Sequence, residues 1–268
     1  MKISFFFYLL YTMENSRILK ILITNDDGIQ SESMLSFAKS LLDIATITVV
    51  APDRERSGVS QAFTCSNGLK LERFSNYDFP CYSLSGTPAD CVKLAISESL
   101  CDGVPDLVLS GVNWGENAGV SSVYSGTVAG AREAALWGIP AIAFSLSERN
   151  NNRLLEVIAL AKKIIQENLF KEMPKGVFWN VNFPRDSVPF AGVAVTSMGT
   201  GMFSDHYVFK DSKYFLEGEK DYENAEKHSD DYALSKGFAV ITPLQVDQTS
   251  TQELNRLQQI DFNLAIKG

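Results

Sequence analysis

Short, continuous apolar runs alternate with helix-forming segments between residues 20 and 147, and this rhythm limits the chain to few folds. The runs cover residues 20–24, 46–50, 107–109 and 141–144, and helical patterns cover about residues 32–42, 88–100 and 127–137. Strands that are buried on both faces are continuously apolar and β-branched, as in parallel sheets covered by helices. The alternation therefore predicts an α/β fold with a Rossmann-like, mostly parallel sheet flanked by helices.

The second half of the chain predicts an appendage to this sheet. A helical pattern at about residues 152–168 precedes a strand-like run at 177–182, and short strand candidates follow at 193–196 and 240–242. The polar, acidic tract from Phe203 to Tyr232 has little core of its own, so it needs the main body or a partner subunit to order it. We expect an N-terminal extension at residues 1–19 and an α/β catalytic domain at 20–200. Residues 201–268 are expected to form an arm or β-hairpin excursion and a tail that partly returns to the core.

The tail carries an apolar stripe at helical spacing, formed by Leu254, Leu257, Ile260 and Leu264. This spacing predicts a terminal helix. The stripe either packs on the core of its own chain or is exchanged with a partner in a symmetric oligomer.

Composition excludes several classes of protein. The formal net charge of −8 argues against a non-specific grip on polymeric nucleic acid, which requires clustered Lys and Arg. The apolar run at residues 3–11 is too short to span a bilayer, and no other segment approaches the length that a span requires, so we expect no membrane partner.

Four cysteines without a C-x-x-C pair indicate thiols in a reducing compartment, and hence a cytoplasmic protein. With only two histidines, any metal must rely mainly on oxygen ligands.

The first apolar run ends in Asn25-Asp26-Asp27-Gly28, which places two carboxylates side by side. Neighbouring side chains of a strand point to opposite faces, so both can serve one site only where the strand has ended, and Gly28 permits that turn. Two close carboxylates repel each other unless a positive charge lies between them, and a divalent cation suits that position. Asp27 could instead cap the helix that follows.

Two further runs end in polar loops that contain glycine. The second run leads into APDRERSGVSQ, which contains Ser57, and the third leads into LSGVNWGENAG, which contains Asn113 and Asn117. Ligands of open parallel sheets bind outside the carboxyl ends of the strands, so these loops can converge on one site. The first loop can equally be a solvated, charged surface loop.

A candidate phosphate cradle follows at Ser125, Gly126 and Thr127, which stand before a helix rich in Ala and Gly. Unpaired N–H groups at a helix start, with two hydroxyls beside them, are suited to phosphate. The alternative is an ordinary helix cap. The stretch SGTPADCV, by contrast, predicts only the start of a helix and no binding site. Thr87 is the expected cap, and Asp90 follows three residues later.

These segments, in this order and spacing, resemble one known family. The series ILITNDDGI, VVAPDRERSGVSQ, SGTPADCV, PDLVLSGVN and YSGTVAGAREAALWGIPAIAFSL resembles the SurE family of survival proteins, which are metal-dependent nucleotidases. The match covers residues 20 to 147 and extends more loosely to about residue 245.

The resemblance implies a site, a cofactor and a substrate. It places Asp26, Asp27, Ser57 and Asn113 on the family's metal-binding positions, and Asn117, Ser125, Gly126 and Thr127 on its phosphate and substrate positions. All these metal ligands are oxygen donors, so the implied cofactor is one Mg²⁺ or Mn²⁺ per subunit. Asp26 and Asp27 are the catalytic candidates, either of which can deprotonate a water. The implied reaction is the hydrolysis of nucleoside 5′- and 3′-monophosphates by a 5′-nucleotidase, in a homodimer or a dimer of dimers.

The chain also departs from the family pattern. Val120 and Ser121 stand where an acidic pair is common, Gln61 replaces a frequent His or Asn, and residues 30–33 differ from the usual turn. These departures keep open a non-catalytic nucleotide-binding or adaptor protein on the same fold. A receiver-type signalling module also holds Mg²⁺ on adjacent acids, but it is less than half this length and does not explain the Y-S-G-T helix start.

Overall fold

The fold is described from a computed structural model, which describes residues 18–148, 151–201, 204–218, 220–222 and 225–262. The expected N-terminal extension lies outside these ranges except for Ile18 and Leu19, and so do Phe203 and Leu264. Within the described ranges, no helix combines the length and the apolar character that crossing a bilayer requires.

The described residues form eleven strands. They are β1 (Leu19–Thr24), β2 (Ala45–Pro52), β3 (Leu71–Phe74), β4 (Cys81–Leu84), β5 (Leu107–Trp114), β6 (Ala141–Leu146), β7 (Val177–Phe183), β8 (Gly192–Val195), β9 (His206–Lys210), β10 (Lys213–Glu217) and β11 (Phe238–Gln245). Nine of them make one sheet in the order β3-β4-β2-β1-β5-β6-β7-β11-β8, and β9 and β10 form a separate hairpin. Within the large sheet, only the pairs β3–β4 and β7–β11 are antiparallel. The predicted α/β fold with a mostly parallel sheet is confirmed.

The same residues form seven α-helices. They are α1 (Glu32–Ser40), α2 (Pro88–Ser97), α3 (Ser121–Tyr124), α4 (Gly126–Leu136), α5 (Asn151–Gln166), α6 (Asp230–Ser235) and α7 (Thr251–Leu257), and a short 3₁₀ helix, Leu169–Glu172, follows α5. Helix α2 begins with the predicted capping box. The Thr87 hydroxyl accepts the N–H of Asp90 at 3.2 Å, and the Asp90 carboxylate accepts the N–H of Thr87 at 3.0 Å.

Helices cover both faces of the sheet and enclose two apolar cores. Alternate residues of β1 divide between them, because Ile21 and Ile23 belong to one core and Leu22 to the other. The first core contains Phe37 of α1 packed edge-on against Phe144 of β6, with ring centroids 5.5 Å apart. Burial on both faces is the physical reason for the uninterrupted apolar run in β1.

The C-terminal region returns to the sheet and also projects from it. Strand β11 lies between β7 and β8, so residues far apart in the chain complete this end of the sheet. The hairpin β9–β10 instead exposes its apolar side chains; Tyr207, Phe209 and Tyr214 are 68 %, 63 % and 70 % exposed. In helix α7, Leu254 and Leu257 are also exposed. The described part of the apolar stripe is therefore not packed on the core of its own chain.

Candidate active site

The chain turns sharply directly after β1, and this turn carries both candidate aspartates. The Asn25 side chain accepts the N–H of Gly28 at 3.2 Å and donates to its carbonyl at 3.0 Å. Gly28 has a φ of +99°, and a Cβ there would lie 3.0 Å from the backbone of Arg54, so glycine is required. Because β1 has ended at this point, Asp26 and Asp27 no longer follow the alternation of a strand.

The Asp26 carboxylate is buried, and its hydrogen bonds offset only part of the cost of burying its negative charge. Its side chain accepts a hydrogen bond from the Thr127 hydroxyl, and its carbonyl accepts one from the Arg56 N–H at 2.7 Å. Burial raises the pKa of the Asp26 carboxyl, and hydrogen bonds from the side chain and the backbone of Thr127 lower it in part. The ionised carboxylate is therefore costly here, and a nearby positive charge would stabilise it.

Helix α4 begins against Asp26, because its glycines allow a close approach to the sheet. A Cβ on Gly126 would lie 2.8 Å from Cβ and 2.9 Å from Oδ2 of Asp26. A Cβ on Gly130, one turn later, would lie 2.7 Å from the Ser110 hydroxyl of β5. The small residues in this helix are thus required by its packing. They bring the N-terminal turn, where the dipole of the helix is positive, beside the carboxylate, and the backbone N–H of Thr127 donates to Asp26.

The predicted phosphate cradle divides into two roles. The Ser125 hydroxyl accepts the N–H of Val128 at 3.1 Å and so caps helix α4. Since a hydroxyl can accept and donate at once, the cap leaves the Ser125 proton for a phosphate oxygen, beside the N–H of Gly126. Thr127 instead directs its hydroxyl to Asp26.

The loop after β2 brings Ser57 to the site, together with a carboxylate that the sequence analysis did not select. The Ser57 hydroxyl donates to the Glu55 carboxylate at 2.7 Å, so its oxygen keeps lone pairs for a cation. Glu55 lies near Asp26, because the N–H of the next residue, Arg56, donates to the Asp26 carbonyl at 2.7 Å. The negative charge of Glu55 adds to the effect of burial in raising the pKa of Asp26. Glu55 lies between two arginines in the sequence, and that pattern resembles an ordinary solvated loop.

Asn113 lies at the carboxyl end of β5, where the strand is irregular. The register of β5 against β6 shifts between Ser110 and Asn113. Gly111, inside this shift, has a φ of +129°, and a Cβ there would lie 2.3 Å from the Phe144 carbonyl. The side-chain amide of Asn113 donates to the Gly115 carbonyl at 2.7 Å, which directs its oxygen away from that carbonyl. An amide oxygen of this kind is a suitable ligand for a hard cation.

Asn117 anchors the loop after β5 to the neighbouring strands. Its side-chain amide donates to the Ser145 hydroxyl at 2.8 Å, and its backbone N–H donates to the Asn182 side chain at 2.7 Å. Its carbonyl accepts a bond from the Asn180 side chain at 2.8 Å. The structure therefore places Asn117 against β6 and β7, whereas Thr127 and Gly126 lie against Asp26.

A buried charged cluster holds the same loop from the C-terminal region. The Lys220 ammonium contacts Glu116 at 3.1 Å and the Ala118 carbonyl at 2.9 Å, and it pairs with the Asp231 carboxylate. The side chains of Lys220 and Asp231 are only 3 % and 2 % exposed. Tyr222 donates its hydroxyl proton to Glu116 at 2.8 Å. No sequence pattern indicated this cluster, because Glu116 lies 104 residues before Lys220 in the chain.

The donor set fits a hard divalent cation. Asp26 and Asp27 offer two carboxylates, and Ser57 and Asn113 offer neutral oxygens. In the described part of the chain, no three His, Cys, Asp or Glu side chains are grouped to hold a metal ion, so neutral oxygens and water must complete the coordination. Mg²⁺ is commonly bound in this way, by one or two carboxylates and several waters.

Comparisons with known proteins agree with this fold. A family model described as survival protein SurE matches residues 21–205. A relative named 5′-nucleotidase SurE, from Thermoanaerobacter sp. (strain X514), is 36 % identical over 252 residues, which cover 92 % of this chain and 100 % of the relative. A relative of the same name from Flavobacterium psychrophilum is 37 % identical over 252 residues, with coverages of 91 % and 98 %. The crystal structure of the SurE protein from Aquifex aeolicus is 34 % identical, with a TM-score of 0.75, and the match covers 89 % of this chain and 99 % of that one. Because the family model matches more than half of the chain and the relatives align over nearly their whole length, the chain belongs to the SurE family of survival proteins.

Proposed function

We propose that the protein is a divalent-cation-dependent phosphomonoesterase that hydrolyses nucleoside 5′- and 3′-monophosphates to nucleosides and phosphate. The observation that carries this proposal is the packing of the α4 N-terminus against Asp26. The Asp26 carboxylate would bind a cation, and the N-terminus of the helix would bind an anion. The two are close together, because a Cβ on Gly126 would lie 2.9 Å from Oδ2 of Asp26. The name 5′-nucleotidase SurE, which the relatives carry, supports a 5′-nucleotidase activity.

Asp26, Asp27, Ser57 and Asn113 would hold the cation, one Mg²⁺ or Mn²⁺ per subunit. When bound, the cation would polarise the phosphoryl group and orient a water. The Ser57 hydroxyl already donates to Glu55, so its oxygen would serve the cation as an acceptor. Asp26 accepts a hydrogen bond from Thr127. We assign Asp26 to holding the cation alone, and we assign Asp27 to a second role besides holding it, as the base that takes the proton of the water.

The phosphate would bind at the first turn of α4. The Ser125 hydroxyl and the N–H of Gly126 would donate to its equatorial oxygens and stabilise the negative charge that is spread over them in the transition state. Thr127 supports this arrangement indirectly, because its hydroxyl holds the Asp26 carboxylate against the helix start. Asn117 positions the loop that carries Asn113 through its bonds to Ser145 and Asn182.

The cysteines support a cytoplasmic location for this activity. All four are free, and Cys81, Cys91 and Cys101 are buried. Burial raises the pKa of the Cys81 and Cys101 thiols to about 11, so both stay protonated and unreactive at neutral pH. Such thiols are typical of proteins in a reducing compartment.

The decisive experiment is phosphate release from 5′- and 3′-nucleoside monophosphates with Mn²⁺, with Mg²⁺ and with a chelator. We expect turnover that requires the cation and is nearly abolished in Asp26→Asn and in Asp27→Asn. The matched control is Asp43→Asn, because Asp43 is exposed and precedes β2 at the opposite end of the strands. Full turnover after exhaustive chelation would overturn the proposal. Nucleotide binding without any hydrolysis would favour the adaptor alternative.

A further inference from the structure

A cavity of about 200 Å³ opens beside the candidate active site, at the carboxyl ends of β6 and β7. Its polar lining comes from Glu116, Ser147, Arg185, Ser187, Tyr222 and Ser235. Ligand pockets for whole drug-sized molecules measure about 300–1,000 Å³, so this cavity suits one part of a ligand. None of these six residues belongs to the proposed cation or phosphate positions.

The cavity is continuous with the loop that carries the candidate ligands. Glu116, in its wall, lies in the chain between Asn113 and Asn117. Ser147, in the same wall, follows Ser145, which accepts the side-chain amide of Asn117. Neighbouring strands lie about 4.8 Å apart, so the ends of β6 and β7 lie about 10 and 14 Å from the end of β1. A single small ligand could therefore place its phosphate at α4 and another of its groups in the cavity.

The lining has the chemistry that recognises a flat, polar ring. The Arg185 guanidinium lies over the Tyr222 ring, 5.6 Å from its centroid, and is itself exposed. Planar guanidinium and aromatic groups stack on nucleobases. The Tyr222 hydroxyl donates to Glu116, which fixes the ring.

The polar atoms of the same lining include both donors and acceptors. Arg185 offers N–H donors, and Glu116 offers its second carboxylate oxygen, which accepts a long bond of 3.4 Å from Ser147. The edge of a nucleobase carries donors and acceptors of the same kinds.

We propose that this cavity is the subsite for the base of the nucleoside monophosphate, with the Arg185 guanidinium as the stacking surface. The inference rests on the proposed function, since it assigns a second part of the same substrate. It explains how one cation site could serve nucleotides in preference to other phosphate esters: the phosphate contacts are common to all of them, and the base contacts are not.

The test compares nucleotides with a substrate that lacks the base. The four ribonucleoside 5′-monophosphates and ribose 5-phosphate are assayed with wild type, Arg185→Met and Ser187→Phe, a variant whose larger side chain fills the cavity. For the nucleotides we expect kcat/KM to fall about tenfold or more, mainly through KM; tenfold corresponds to about 1.4 kcal/mol. For ribose 5-phosphate we expect little change. The matched control is Arg73→Met, which removes an exposed arginine on β3 at the opposite edge of the sheet.

Two results would overturn the inference: equal losses for nucleotides and ribose 5-phosphate, or no loss for either. A failure of the proposed function gives a different result, namely no hydrolysis of any substrate by wild type. In that case, calorimetric binding of the four nucleosides without phosphate decides the question. Binding that is weakened by Arg185→Met supports the subsite, and binding that is absent or unchanged by the substitution refutes it.

Discussion

The Thr127 hydroxyl donates a hydrogen bond to the buried carboxylate of Asp26, across 101 residues of sequence. This bond joins the start of helix α4 to the turn after β1. It also opposes the effect of burial, which raises the pKa of Asp26. The helix that we propose for the phosphate thus also orients the Asp26 carboxylate, our proposed ligand of the cation, and favours its ionised form.

The first prediction concerns this bond. Thr127→Val should weaken Mn²⁺ binding about tenfold at neutral pH, because a hydrogen bond to a charged group contributes about 1.5–3 kcal/mol. Thr127→Ser should restore most of the affinity, since it keeps the hydroxyl. Without the bond the pKa of Asp26 is higher, so the loss should be largest in mildly acidic solution and smaller as pH rises. Titration calorimetry at several pH values measures this, and a pH-independent loss would contradict it.

The second prediction concerns the cost of burying Asp26. An acid whose pKa is higher in the folded state than in the unfolded state destabilises the folded state once the pH exceeds the unfolded-state pKa. Above that pH the unfolded state ionises freely, whereas the folded state loses its proton less readily. Without divalent cations at neutral pH, Asp26→Asn should therefore melt at the same temperature as wild type or higher. Mn²⁺ at 100 times its Kd should stabilise wild type by about 2.7 kcal/mol and leave the variant nearly unchanged. A variant that melts well below wild type in the absence of the cation would contradict this account.

The third prediction separates phosphate contact from capping. Ser125→Ala should lower turnover strongly and leave Mn²⁺ affinity nearly intact, while the lost cap costs about 1 kcal/mol of stability. Ser250→Ala is the matched control, since the Ser250 hydroxyl caps the exposed helix α7 in the same way. It should leave turnover unchanged. Equal losses of turnover and Mn²⁺ affinity in Ser125→Ala would show that the two roles are not separate.

The fourth prediction concerns the buried ion pair of Lys220. Lys220→Met leaves the carboxylates of Asp231 and Glu116 without their cation, which should cost about 3–5 kcal/mol of stability. Burial raises the pKa of Asp231 and Lys220 lowers it, so the substitution raises that pKa further. The protonated acid suffers no such penalty, and the deficit should therefore shrink as the pH falls from about 8 towards 5.

Urea denaturation at several pH values measures the deficit. Lys162→Met is the control, because the partner of Lys162, Asp43, is exposed, and its loss should change stability little at any pH. A deficit in Lys220→Met that stays constant with pH would exclude Asp231 as its source.

The fifth prediction concerns assembly. We propose a homodimer or a dimer of dimers, because the hairpin β9–β10 and helix α7 expose apolar side chains that a second copy could cover. Removal of the residues after Gln248 should lower the molar mass seen by light scattering or reduce solubility. A double substitution, Leu254→Asp with Leu257→Asp, should do the same, and Gln252→Asp should not. An intact protein that is monomeric at micromolar concentration would contradict the proposal.

The sequence by itself determined the central sheet, because strands buried on both faces need uninterrupted apolar runs. The core of β1 shows this, with Ile21 and Ile23 on one face and Leu22 on the other. Local signals of the same kind predicted the capping box of α2 and the turn at Gly28. In each case the physical cause lies within a few residues of the chain.

Only the tertiary structure decided the contacts between distant segments. The edge strand β3 and its neighbour β4 were not predicted. Both are short, and β3 is largely exposed, so it lacks the apolar pattern. The bond from Thr127 to Asp26, the approach of Glu55 and the Lys220 cluster each depend on how separate loops meet at one edge of the sheet. A single sequence records the residue types but not the distances between residues of separate segments. The metal, phosphate and base sites proposed here depend on those distances.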